Sequence, residues 1–80
     1  MSNFTAPLQS LNNFFLSVQH DNPELAELIA PDVEVVALAG LAFGTSETGK
    51  EAANRLRRVA FDLPEIQSRV LAGALLDLGF

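Results

Sequence analysis

The chain has no cysteine, which excludes disulfides and thiolate metal sites. It also lacks tyrosine and holds one histidine, His20. Charge is sparse: 19% of residues are charged, and five Lys and Arg face ten Asp and Glu for a net charge of −5. Phosphate recognition depends on a clustered excess of Lys and Arg, so this balance argues against nucleic acid as a partner. No apolar run approaches the roughly 20 residues of a membrane-spanning helix. The opening Met-Ser-Asn-Phe-Thr-Ala-Pro has neither the basic n-region nor the apolar stretch of a secretory signal. A cytoplasmic protein with no membrane contact is the expectation.

What is present is an apolar sequence. Hydrophobic residues make up 49% of 80 positions, which places the chain outside the disordered class and bounds it to one domain. Leu8, Leu11, Phe15 and Val18 recur at i, i+3, i+7 and i+10, the stripe of an amphipathic helix over Pro7 to Gln19. His20-Asp21-Asn22 reads as a turn. Asn22 then caps a second helix with Pro23 in its first position, Glu24 at the positive end of the dipole, and Leu25, Leu28 and Ile29 on its buried side.

Pro31 is expected to stop that helix, and the β-branched run Val33 to Leu38 to form a strand. A loop from Gly40 to Gly49 leads to Thr48-Gly49-Lys50-Glu51, which has capping-box spacing. The helix that follows, to about Phe61, buries Ala52, Ala53, Leu56, Val59 and Ala60, with Glu51 and Arg55 as an i, i+4 pair. Beyond Pro64 two readings stand. Glu-Ile-Gln-Ser-Arg-Val alternates like a half-buried strand running to Leu76, whereas Asp62 and Glu65 have the spacing to cap a fourth helix ending at Gly79.

The order of these pieces resembles the nuclear transport factor 2-like superfamily, in particular its SnoaL-like polyketide cyclases and ketosteroid isomerases. Phe14-Phe15, Asp21, the run Leu28 to Val35, and Gly49-Lys50-Glu51-Ala52 carry the resemblance, which spans nearly the whole chain. It implies an α+β fold, with N-terminal helices packed on a curved antiparallel sheet as a partial cone-like barrel. It also implies a single domain over 1–80 that lacks the closing C-terminal strands. An incomplete sheet leaves an unpaired edge, so a homodimer is expected to complete it.

Ketosteroid isomerases use a carboxylate base with a Tyr and a protonated Asp as oxyanion hole. Where the resemblance would place the base stands Ala37, between Val36 and Leu38, so no catalytic residue is assigned. His20 beside Asp21 reads as a helix-end cation, with no third group to make a catalytic or metal site. Gly44 to Lys50 matches the glycine frame of a phosphate-cradling loop, but Glu51 replaces the Ser or Thr that would bind magnesium. No metal or cofactor is expected. Phe14, Phe15, Val36, Leu38 and Phe43 remain as an apolar cluster that would line a pocket for a small apolar ligand. The functional expectation is a noncatalytic ligand-binding or self-associating module, with an isomerase or cyclase-type enzyme as the alternative.

Overall fold

The computed structural model of the chain describes residues 5–41 and 47–80. Those residues form four helices and no strand: α1 (Thr5–Asp21), α2 (Pro23–Leu41), α3 (Glu47–Ala60) and α4 (Glu65–Asp77). The α+β fold and its curved sheet are therefore corrected to a helical bundle. The resemblance to the nuclear transport factor 2-like superfamily falls with the sheet that defines that family.

Asn22 alone separates α1 from α2. Its side-chain oxygen accepts the Leu25 N–H at 3.2 Å, and Pro23 fills the first helical position, where no N–H is needed. The cap read from the sequence is present. In α1 the core-facing side is turned by about one residue from the expected stripe. Leu11, Phe14 and Val18 are buried, while Leu8 and Phe15 sit half-buried beside them.

Pro31 does not stop α2, because the apolar residues continue at helical spacing through it. Ala26, Ile29, Val36 and Ala39 are buried, and Val33 packs against them, on one side of a 19-residue helix. Burying Ile29 and Val36 contributes about 1.5–3 kcal/mol each. Together they outweigh the roughly 3 kcal/mol cost of an interior proline. Pro31 itself is exposed, as is Glu27, whose carbonyl loses its intrahelical donor and faces water. The expected strand Val33 to Leu38 is the second half of this helix.

The segment after Pro64 follows the helical alternative. An alternating strand would turn Ile66 inward and Gln67 outward, yet Ile66 is 78% exposed and Gln67 only 6%. Burial of Gln67, Leu71, Ala74 and Leu75 instead steps by three and four residues. The end of α4 is closed by a Schellman turn. Phe80 N–H donates to the Leu75 carbonyl at 2.8 Å and Gly79 N–H to the Leu76 carbonyl at 3.0 Å, with Gly79 at φ 96°. Asp62 is not the cap. Pro64 holds that position, with no side-chain bond. Nor does Thr48 cap α3, since the helix begins one residue earlier at Glu47.

α1 packs on α2 and α4, and α3 packs on the same two helices, so the four close into a ring around one core. α2 and α3 run antiparallel. Ala39, near the end of one, meets Gly49 at the start of the other, and Asp32 bonds Arg55 farther along both. The Gly49 approach is tight: a Cβ there would lie 2.5 Å from the Ala39 Cβ and 3.1 Å from the Phe80 ring. Gly73, in α4, has nothing within 4 Å of such an atom. Gly49→Ala is accordingly expected to cost about 1–3 kcal/mol by overpacking. Gly73→Ala should gain about 0.5–1 kcal/mol through helix propensity. Urea denaturation of both variants checks this, and equal effects would contradict the close packing of α2 on α3.

Candidate interaction surface

The chemistry-bearing residues singled out in the sequence fasten helices together. His20 Nδ1 lies 3.1 Å from Asp21 Oδ1 at the exposed end of α1. The other Asp21 oxygen accepts the Gln67 amide at 2.7 Å, and the same amide donates to Ser17 Oγ at 2.8 Å. Gln67 is the buried polar residue of the core, and these bonds satisfy its amide while holding the end of α1 against the start of α4.

Two arginines of α3, Arg55 and Arg57, tie it to its neighbours. Arg55 bypasses Glu51 and forks onto Asp32 of α2, with Nη2 at 2.8 Å and Nε at 3.1 Å from the same carboxylate oxygen. Hydrogen bonding to Asp32 holds this guanidinium above its usual pKa. Arg57 donates to the Phe80 carbonyl and to Asn54 Oδ1, tying α3 to the close of α4. Lys50 stands 3.5 Å from Glu47, and Gly44, Thr45 and Ser46 of the supposed phosphate cradle lie outside the described residues. Among the described residues, no group of three or more His, Asp or Glu is placed to hold a metal ion. None of the helices is long and apolar enough to cross a membrane.

The five apolar residues assigned to a ligand pocket are distributed through the bundle. Phe14 and Val36 fill the common core, and Phe15 opens on a groove between α1 and α2. Leu38 stands 60% exposed on α2, and Phe43 lies outside the described residues. The α1–α2 groove, with Leu8, Leu11 and Phe15 facing Ala30, Val33 and Ala37, encloses about 260 Å³. Ligand sites usually begin near 300 Å³.

A larger groove lies between α3 and α4. It measures about 460 Å³ and is lined by Ala60, Phe61, Leu63, Leu71 and Ala72 together with Arg57, Glu65 and Ser68. Phe61 is 88% exposed at its mouth. Leu76, also exposed, follows Ala72 by one helical turn and extends the apolar strip along α4. Sequence reasoning placed Phe61 at the end of a helix and took it no further. Phe61 stands one residue past the end of α3, where helical spacing no longer fixes its direction.

Charge is unevenly shared between the halves of the bundle. All five Lys and Arg fall after residue 46, where five Asp and Glu balance them. The preceding half has Asp21, Glu24, Glu27, Asp32 and Glu34 with no Lys or Arg, and so carries the whole net charge of −5. Comparison of the chain with protein-family models, curated proteins and solved structures returns no match.

Proposed function

We propose that the chain is a noncatalytic interaction module whose working surface is the α3–α4 groove, docking an apolar face of another polypeptide. Phe61 carries this reading. Burial of a phenylalanine is worth about 1.5–3 kcal/mol, and the bundle forgoes nearly all of it by leaving Phe61 in water beside a groove whose lining is mostly apolar, with Arg57, Glu65 and Ser68 among it. An exposed aromatic bordered by apolar residues is the usual composition of an interface anchor. A small ligand fits this site less well, since small-molecule pockets bury most of their ligand and this groove stands open with Phe61 at its rim. The isomerase or cyclase alternative has lost the resemblance it rested on.

The apolar dye anilinonaphthalenesulfonate, whose fluorescence rises on apolar surface, tests the surface. Saturable binding by the wild type, abolished in Phe61→Ser, is the expected result. Phe61→Ser should leave folding stability within about 0.5 kcal/mol of wild type, as for surface positions outside the packed core. If dye binding persists in the variant, or stability falls by more than about 1 kcal/mol, Phe61 serves the fold and the reading fails.

A further inference from the structure

We infer that the polypeptide received by the α3–α4 groove is a second copy of this chain, with each Phe61 seated in the groove of the other. The inference rests on the reading of that groove as the working surface.

The first argument is self-complementarity. A two-fold interface requires the same patch to supply both the projection and the recess. Here the recess lined by Ala60, Leu63, Leu71 and Ala72 and the projecting ring of Phe61 share one surface. A rotation that places one ring in the partner's groove places the other ring reciprocally.

Charge is the second argument. Two copies at −5 each repel, and most strongly where α1 and α2 would meet, because that half holds five carboxylates and no Lys or Arg. The α3–α4 half holds five charges of each sign, of which Arg55 reaches across to Asp32; in the groove Glu65 is paired with Arg69 at 2.7 Å and Arg57 is bonded to Asn54 and the Phe80 carbonyl. At physiological ionic strength screening acts over about 8 Å. The distant acidic half is therefore muted, and the neutral face decides whether copies can approach. A strongly basic partner would instead be drawn to α1 and α2.

Area is the third. A standard interface takes about 800 Å² from each partner, roughly one-sixth of the 5167 Å² surface of this chain. The molecule measures 32 × 25 × 18 Å along its principal axes, so an interface of that size takes up most of one side.

Sedimentation equilibrium of the full chain from about 1 to about 100 μM covers the range in which moderate homodimers dissociate. The wild type should rise from 8.6 kDa toward twice that mass. Phe61→Asp should bind itself at least about tenfold more weakly, as loss of an anchor requires, while keeping its helical circular dichroism. Leu28→Asp alters another exposed apolar residue, on α2, and should associate like wild type. A wild type at 8.6 kDa throughout, a Phe61→Asp variant that associates undiminished, or a Leu28→Asp variant that loses association would each overturn the second-copy assignment. Dye titration at about 1 μM, where the copies are dissociated and Phe61 is uncovered, separates the two levels. Phe61-dependent dye binding by a monomeric wild type removes only the second copy, whereas loss of both signals removes the docking surface as well.

Discussion

Phe14→Ala is expected to lower folding stability by about 3–5 kcal/mol, the range for deleting a buried aromatic ring. Phe14 is the largest of the fully buried side chains, 1% exposed, in a cluster that draws Leu11 and Val18 from α1, Val36 from α2, Leu56 from α3, and Leu71 and Leu75 from α4. Its removal opens a cavity in the core that α1 shares with α2 and α4, the helices it packs on. An 80-residue domain has about 4–12 kcal/mol of stability in total, so the variant should be close to unfolding at room temperature. Phe15→Ala is the informative control. Phe15 is half-buried against the α1–α2 groove, and its truncation should cost clearly less. Urea denaturation followed by far-ultraviolet circular dichroism measures both. A larger loss for Phe15 than for Phe14 would mean that α1 turns its other side to the core, as the stripe through Phe15 suggests from sequence alone.

That comparison shows where sequence patterning was sufficient. The Asn22 cap, the placement of Pro23 and the apolar side of α3 were legible because they depend on residues within one or two turns of each other. The second half of α2 was not, and α4 stood only as one of two readings; the reason is the same in both. Within Val33 to Leu38, a period of two selects Val33, Val35 and Ala37. A helical period that begins upstream at Ala26 and Ile29 selects Val33 and Val36 instead. Short apolar runs satisfy both, and the choice is made by the surfaces of α1 and α3 on which the segment packs. In α4 the same ambiguity put Ile66 inside and Gln67 outside, and the Gln67 bonds to Ser17 and Asp21 reverse it. Those bonds span 50 and 46 residues, a separation no local pattern encodes. Of the four ligand residues that are described, Phe15 lines the α1–α2 groove, Phe14 and Val36 fill the core and Leu38 is exposed, because Val36 and Leu38 share a strand face but not a helix face. Phe61 was overlooked because exposure is a property of the packed bundle.

Pro31→Ala separates the two readings of α2 by the sign of its effect. In a continuous helix the alanine restores the N–H that the Glu27 carbonyl lacks and removes the clash of the ring with the preceding turn. Those terms are worth about 3 kcal/mol. Alanine also frees the unfolded chain that proline had restricted, which takes back about 0.4–1 kcal/mol. A net gain of about 2 kcal/mol follows, equivalent to a melting temperature roughly 8–16 °C higher for a domain of this size. Were Pro31 instead the stop between a helix and a strand, its fixed φ would suit the native chain, and alanine would lower stability by about 0.4–1 kcal/mol. Thermal denaturation distinguishes a rise from a fall without reference to any other variant. A fall would return Val33 to Leu38 to the strand and remove the bundle core to which Val36 belongs. A rise locates the cost of Pro31 in the middle of α2, where the burial of Ile29 and Val36 on either side holds the helix together across it.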